Sequence, residues 1–137
     1  MSYHTLIIVG RLGKEPELRY TPAGQAVANF SVATNRQYFV RTNSPANEER
    51  VKETIWFRVS CWGKQAEACS QHLHRGSLVL IEGRLIPDPS TGRPRIWHSK
   101  NGPGASFEVN ASSVRFLSDR EEGNSSSEEP VEEAIPF

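Results

Sequence analysis

The chain has 137 residues, of which 36% are hydrophobic, and this length suits one compact domain with a short appendage. Its longest aliphatic run near the start, Leu6–Val9, is far too short for a membrane-spanning helix or a secretory signal, and two cysteines cannot build a disulfide framework, so we expect a soluble cytoplasmic protein. A formal net charge of zero, from 16 basic and 16 acidic side chains, would by itself argue against binding to nucleic acid.

Five segments have the alternating or β-branched character that is typical of strands. In chain order they are Thr5–Val9, Val27–Thr34, Thr54–Trp62, Leu78–Ile86 and Phe107–Phe116. One helix is predicted over Gln65–His74, because Ala66, Cys69 and Leu73 recur at helical spacing. Gly76 stands where a C-terminal cap of that helix is expected.

Two long connections separate these segments. The first is polar and runs from Arg41 to Glu53, which predicts a long hairpin loop. The second covers residues 87–106 and contains four prolines and three glycines within this short span. This density predicts a loop without a regular strand.

The order of these elements predicts the fold class. An all-β chain of five strands, with one helix between the third and the fourth, matches the small five-stranded Greek-key barrel called the OB-fold. We expect residues 1–118 to form this barrel, because the composition changes after Leu117. Such barrels bind oligonucleotides and oligosaccharides on a strand face and its loops, but the fold alone does not give the function.

The neutral total charge hides a division of the chain into two parts. Residues 1–118 hold 15 basic and 9 acidic side chains, a net charge of +6, whereas residues 119–137 hold 1 basic and 7 acidic side chains, a net charge of −6. We expect a short disordered linker over 119–131 and an acidic-hydrophobic tip over 132–137. A basic body with an acidic tail favours binding of a polyanion by the body, and the tail is expected to visit the body when the polyanion is absent. A tail that only aids solubility is the alternative.

The third predicted strand has two different faces, since side chains alternate along a strand. The apolar face consists of Ile55, Phe57, Val59 and Cys61, and the opposite face consists of Trp56, Arg58, Ser60 and Trp62. The first set suffices as a core face, whereas Arg58 is costly to bury without a partner. We therefore expect the second face to be open to solvent and to a ligand. The alternative is that a loop or a second subunit covers both tryptophans.

Two indoles with a guanidinium between them suit unpaired nucleobases, which stack on aromatic rings while cations neutralise their phosphates. Tyr38, Phe39 and Trp97 lie in or beside the two long connections, where they extend this platform. The stacking residues predicted for single-stranded DNA are Tyr38, Trp56, Trp62 and Trp97. The predicted phosphate-binding residues are Arg11, Arg19, Arg36, Arg58, Lys64, Arg75, Arg84, Arg93 and Arg95. For any single loop cation, the alternative is an ordinary solvated charge.

Enzymatic chemistry finds little support in the sequence. Neither Gly13-Lys14 nor Gly63-Lys64 is followed by Ser or Thr, so no phosphate-binding P-loop is present. Cys61, Cys69, His72 and His74 lack the spacing of a metal site, and we expect neither a metal nor a cofactor. Three other classes remain open: an RNA or tRNA binder with the same fold, a small hydrolase built on Cys61, and a scaffold subunit that binds no nucleic acid.

Several motifs in the same order resemble bacterial and mitochondrial single-stranded DNA-binding proteins. They are Val9-Gly10-Arg11-Leu12-Gly13-Lys14-Glu15-Pro16, Val27-Ala28-Asn29-Phe30-Ser31-Val32, Trp56-Phe57-Arg58-Val59, Trp62-Gly63-Lys64-Gln65-Ala66-Glu67, Ile81-Glu82-Gly83-Arg84-Leu85 and the final Ile135-Pro136-Phe137. The resemblance covers residues 3–86, is looser over 107–117 and returns at 132–137. It implies a homotetramer that wraps single-stranded DNA at the nucleoid, without catalysis.

The resemblance also implies roles for individual residues. Tyr38, Trp56 and Trp62 occupy stacking positions of that family, and its basic positions fall on Arg19, Arg58, Lys64, Arg75 and Arg84. The tip is implied to dock on replication, recombination and repair proteins through Glu132, Glu133, Ile135, Pro136 and Phe137. The chain departs from the family in its long 87–106 connection, its very short linker and the glutamates at its tip.

Overall fold

The computed structural model describes residues 1–41 and 48–117 of the chain. It contains eight strands and one helix in the order β1 Leu6–Leu12, β2 Glu17–Tyr20, β3 Ala26–Arg41, β4 Glu48–Trp62, α1 Lys64–His72, β5 Leu78–Leu85, β6 Ile96–Ser99, β7 Gly102–Ala105 and β8 Phe107–Phe116. The predicted linker over 119–131 and the tip over 132–137 lie outside the described residues.

Five strands close into a barrel in the order β1-β5-β8-β4-β3, and the ring is completed where β3 returns to β1. The pairing of β4 with β8 is parallel and the other pairings in the ring are antiparallel. At the closure, Arg11 pairs with Ala33 and Leu12 with Val32. The chain thus has the predicted OB-fold, with α1 between the third and fourth strands of the barrel.

The closure of the barrel depends on a glycine in β1. A Cβ atom on Gly10 would lie 2.3 Å from the carbonyl oxygen of Ala33, which is closer than nonbonded atoms approach. Only a residue without a side chain lets the two strands meet here. Gly10 thus lies within β1 and serves the close contact between β1 and β3.

The core lies inside the barrel and is built from alternate residues of its strands. Val59 and Cys61 of β4 are fully buried, while Ile55 and Phe57 on the same face are partly buried. Other strands contribute Ile8, Leu12, Ala28, Phe30, Val32, Val79, Ile81 and Val109, and α1 and the residue after it contribute Ala66, Cys69 and Leu73. The predicted core face of the third strand is therefore confirmed.

The helix is shorter than predicted. It ends at His72 rather than His74, because Leu73 adopts an extended conformation and buries its side chain. Gly76 is not the helix cap. It lies in the turn closed by a hydrogen bond from the Ser77 amide to the His74 carbonyl, with φ of 90°, and its own amide donates to the carbonyl of Leu12 at 2.8 Å.

Both predicted loops contain paired strands, so the loops are shorter than predicted. β3 and β4 stay paired as far as Arg41 and Glu48, because backbone hydrogen bonding between two adjacent strands continues through the polar sequence. The 87–106 connection contains the β6–β7 hairpin, in which Trp97 pairs with Gly104 and His98 with Pro103. A two-stranded ribbon tolerates proline, since its outer edge needs no backbone donor.

The two cysteines are free and buried, and their Sγ atoms lie 3.6 Å apart. The hydrogen bond to Cys69, together with burial, raises the pKa of the Cys61 thiol. Among residues 1–41 and 48–117, no cluster of three or more His, Cys, Asp or Glu side chains is arranged to hold a metal ion. The helix of this same region is too short and too polar to cross a membrane.

Candidate nucleic-acid interface

The outer face of β4 carries the predicted platform. Because side chains alternate along the strand, Trp56, Arg58, Ser60 and Trp62 point away from the buried Val59 and Cys61. The indoles are 51% and 42% exposed, so the described chain does not enclose either ring in its core. Six residues along a strand place the two indoles about 20 Å apart, with Arg58 and Ser60 between them.

Trp56 is seated on the backbone of the β1–β2 connection. A Cβ atom on Gly13 would lie 2.6 Å from Cζ3 and 2.8 Å from Cη2 of the indole. The Gly13 amide in turn donates to the Ser31 carbonyl of β3 at 3.0 Å, which fixes the glycine beside the sheet. The indole therefore rests on a bare stretch of backbone and keeps half of its surface open.

Trp62 is held by a hydrogen bond instead. Its Nε1–H donates to Oδ1 of Asn110 on β8 at 3.1 Å. Asn110 lies between Ser60 of β4 and Arg84 of β5 in the strand register. The hydrogen bond therefore links the Trp62 end of the platform to β8, which itself pairs with β4 and β5.

A groove of about 420 Å³, here called the central groove, lies beside Arg58. Its polar walls include a hydrogen bond from Ser60 Oγ to Asn29 Oδ1 at 2.7 Å. The charges of its walls are balanced, since three cations face three carboxylates. The lining residues are Lys14, Glu15, Glu17, Asn29, Phe30, Ser31, Arg58, Val59, Ser60, Arg95 and Glu108.

Glu108 on β8 is one of the three carboxylates of the central groove. It pairs with Arg58 in the parallel register of β4 and β8. Arg95, just before β6, lies 4.0 Å from its carboxylate, and the Glu108 side chain is only 17% exposed. This ion pair links the base of the β6–β7 hairpin to the barrel.

Glu15, another acidic residue of the central groove, links the β1–β2 connection to the turn after α1. Glu15 accepts a hydrogen bond from the Arg75 amide at 3.0 Å and lies 3.2 Å from Nδ1 of His74. The amide hydrogen bond of Arg75, followed by the contact with His74, lowers the pKa of the Glu15 carboxyl. These contacts hold the turn after α1 beside the β1–β2 connection that seats Trp56.

The outer halves of β3 and β4 extend beyond the barrel as a two-stranded arm, here called the β3–β4 arm, formed by residues 35–41 and 48–54. It carries Tyr38, whose ring lies 4.8 Å from the Arg36 guanidinium carbon in a cation–π arrangement. Arg36 also lies 3.8 Å from Glu53. Tyr38 and Arg36 thus lie together on the arm, away from the two tryptophans of β4.

Trp97 lies on the β6–β7 hairpin rather than in an irregular loop. Its indole covers Gly104, where a Cβ atom would lie 2.7 Å from Cε2. The ring remains 40% exposed. Arg93 and Arg95 lie within the three residues before β6, so two cations stand at the base of the hairpin that carries this ring.

The remaining predicted cations are distributed around the molecule. Arg84 lies opposite Asn110, and Lys64 is the first residue of α1 directly after Trp62. Arg19 lies 3.6 Å from Glu17, and Arg75 lies in the turn after α1. Arg11 differs from the others, because its guanidinium donates to the Gly76 carbonyl at 2.9 Å and so stabilises that turn.

Sequence reasoning missed four residues of this surface: Gly13, Asn29, Glu108 and Asn110. Asn29 and Asn110 each lie between buried residues of a strand, and this alternation is a signal that places them on the outer face. The position of Gly13 under an indole and the approach of Arg95 to Glu108 depend on tertiary contacts. No local pattern in the sequence encodes them.

Comparison with known proteins places these features in a family. The family model described as "Single-strand binding protein family" matches residues 3–117. Two proteins named single-stranded DNA-binding protein, from Neisseria meningitidis serogroups A and B, are each 36% identical to this chain over 125 residues. The match covers 90% of this chain, but it spans only 65% of the length of these relatives.

A solved structure shares the fold. It is described as the Plasmodium falciparum SSB complex with ssDNA, and it superposes with a TM-score of 0.68 at 28% sequence identity. The match covers 86% of this chain and 97% of the other.

Proposed function

The chain belongs to the single-strand binding protein family, and from this premise we propose that it binds and protects single-stranded DNA without strong sequence preference. The observation that carries the proposal is the outer face of β4, where Trp56 and Trp62 stay half open on either side of Arg58. Bases stack on the indoles, and every base offers a π-face, so binding tolerates any sequence.

The distribution of charge indicates which parts of this surface bind bases and which parts bind phosphates. The central groove is balanced in charge, so stacking and hydrogen bonds dominate there. Phosphates are neutralised mainly by cations at the ends of the platform. Lys64 and Arg84 serve the end near Trp62, and Arg93 serves the base of the β6–β7 hairpin. Arg58 and Arg95 supply the fewer phosphate contacts of the central groove.

The β3–β4 arm and the β6–β7 hairpin extend the path of the DNA strand across the protein. On the β3–β4 arm, Tyr38 stacks with a base and Arg36 contacts a phosphate. On the β6–β7 hairpin, Trp97 provides a further stacking surface. Arg19 and Arg75 complete the set of phosphate contacts at the rim, and Arg11 acts mainly through the turn that it stabilises.

The same proposal extends to assembly. We assign self-association, as a homotetramer, to the side of the barrel around β1, where β1 lies beside residues of β3 and β4. Ile7 on this side is 62% exposed, and an apolar groove of about 270 Å³ runs beside β1 along Leu6, Ile55 and Phe57. Exposed apolar surface of this kind favours protein contacts. Ile7→Asp should dissociate the assembly in sedimentation experiments, whereas an unchanged mass would place the contact elsewhere.

In the cell we propose a role in replication, recombination and repair at the nucleoid, without catalysis. The acidic tip would recruit partner proteins through Glu132, Glu133, Ile135, Pro136 and Phe137. A terminal aromatic residue with its carboxylate is a chemistry that a basic-rimmed apolar pocket can capture. If the tail only aids solubility, removal of Phe137 should leave the binding of every partner protein unchanged.

The competing function is binding of RNA by the same fold. Fluorescence anisotropy with labelled 35-nucleotide oligomers of dT and rU and a DNA duplex of equal length separates the alternatives. We expect dT to bind more tightly than rU and much more tightly than the duplex. Stronger binding of rU would favour the RNA-binding function, and binding of none of the three would favour a scaffold subunit.

A further inference from the structure

We propose that Asn110 is a positioning residue that fixes the indole of Trp62 for base stacking, an inference that rests on the proposed binding of single-stranded DNA. The contact that carries it is the hydrogen bond from Trp62 Nε1–H to Asn110 Oδ1, at 3.1 Å. Both residues are exposed, so this bond lies at the surface where a nucleic acid would bind.

Trp62 needs such support because of its place in the chain. It is the last residue of β4, and Gly63 after it turns out of the sheet with φ of 70°. Its cross-strand partner is Val27 on β3. Trp56 rests on Gly13, whereas no glycine of residues 1–41 and 48–117, its chain neighbour Gly63 aside, has the Trp62 ring among the atoms nearest its Cβ position. An indole at a strand end has two free torsions, and one hydrogen bond at its edge removes much of that freedom.

Asn110 lies in a well-paired part of the barrel, which suits it to hold this bond. It lies on β8 between the buried residues Val109 and Ala111. Its backbone is paired on one side with Ser60 of β4 and on the other with Arg84 of β5. Pairing on both sides holds the Asn110 backbone within the barrel, so its side chain accepts the hydrogen bond from Trp62 from a fixed position.

The geometry of the bond leaves the stacking surface free. The Nε1–H group points outward in the plane of the indole, whereas a base stacks on the face of the ring. Holding the edge and stacking on the face therefore do not compete. The indole enters the complex with its orientation already set, and less conformational entropy is lost when a base binds.

The test is a double-mutant cycle that joins Asn110→Leu with Trp62→Phe, measured by affinity for a dT oligomer. Leucine has a similar volume and no acceptor, and phenylalanine keeps a ring without the N–H donor. We expect N110L to weaken binding about three- to tenfold in the wild-type background, the loss typical of one hydrogen bond. In the W62F background the same change should cost less than about twofold.

Two further measurements separate positioning from a general loss of structure. The chain has three tryptophans, so Trp62 is the sole indole emitter in a W56F/W97F variant. In that variant N110L should lower the emission anisotropy of Trp62 and increase its quenching by acrylamide. N110D, which keeps the acceptor, should restore both values. Asn35→Leu is the matched control for these two readouts, because Asn35 accepts a hydrogen bond from Thr54 at 2.8 Å, and Thr54 lies eight residues before Trp62 on β4.

Equal losses from N110L in the Trp62 and W62F backgrounds would overturn the proposal, because Asn110 would then contact the DNA directly. Unchanged anisotropy of Trp62 would overturn it as well. If the wild-type chain bound no dT oligomer, the proposed function itself would fall, and the anisotropy would still report whether Asn110 holds the ring.

Discussion

The indole of Trp56 lies against Gly13 so closely that a methyl group on Gly13 would stand 2.6 Å from its Cζ3 atom. The bare backbone of one connection is therefore part of the surface that supports a ring on another strand. Gly13 is itself fixed by the hydrogen bond from its amide to Ser31 of β3. The orientation of the ring is thus determined before any ligand arrives.

Gly13→Ala should displace the indole of Trp56, since its ring cannot interpenetrate a Cβ atom. We expect weaker binding of a dT oligomer, by about 1–3 kcal/mol if stacking on this ring is lost, as measured by anisotropy. The control is the same change in a W56A background, where no ring is present to be displaced. A full effect of G13A in that background would contradict the account.

Trp56→Ala separates a platform residue from a core residue. Because half of the side chain is exposed, we expect the free energy of unfolding to change by less than about 1 kcal/mol in urea titrations. A buried tryptophan would cost about 3–5 kcal/mol. Affinity for dT should fall together with this small change in stability. A large loss of stability with unchanged affinity would show that the ring serves packing.

Arg58→Ala should remove one phosphate contact from the complex. The slope of log K against log salt concentration should become shallower by about 0.7, because each neutralised phosphate releases counterions from the single strand. Arg115→Ala is the control, since Arg115 lies five residues beyond Asn110 on β8 and pairs with Leu80. An unchanged slope for R58A would remove Arg58 from the contacts.

Deletion of residues 119–137 should raise the affinity for dT at low salt. The deleted segment carries a net charge of −6 and the body one of +6, so we expect the segment to compete with DNA for the body. The difference should shrink as salt rises, because screening weakens attraction between separated charges. Equal affinities at low salt with and without the segment would contradict this competition.

The buried thiols should resist alkylation in the native chain. The pKa of Cys61 is raised by the hydrogen bond to Cys69 and by burial, and the thiolate is the reactive form. We expect slow reaction with iodoacetamide at pH 8 and rapid reaction after unfolding in urea. Rapid native labelling of Cys61 would reopen the hydrolase alternative, for which activity of the C61S variant is the test.

Local patterns were sufficient for most of the barrel. The alternation over residues 54–62 predicted which side of β4 faces the core, because a strand buried on one side needs apolar residues at every second position. The other strands of the barrel were predicted from alternation or from β-branched residues, and the helix was predicted from apolar residues at helical spacing. The helix end was wrong, since burial of Leu73 in extended conformation outweighed its helical spacing.

Features that depend on pairing between distant segments could not be predicted. Composition suggested loops at residues 41–53 and 87–106, but hydrogen bonds between strands do not require apolar side chains. The same limit applies to the candidate site. The tryptophans were found from one strand, whereas Gly13 lies in the β1–β2 connection and Asn110 on β8, and both are brought to the tryptophans by the tertiary fold.

The central claim is that both indoles of β4 are open to nucleobases, and titration of tryptophan emission with poly(dT) tests it most directly. In a W97F chain, the remaining emission comes from Trp56 and Trp62. We predict strong quenching that saturates with added poly(dT) and requires more polymer at high salt. Emission that stays unchanged at both salt concentrations, while anisotropy of labelled dT reports binding, would contradict the claim.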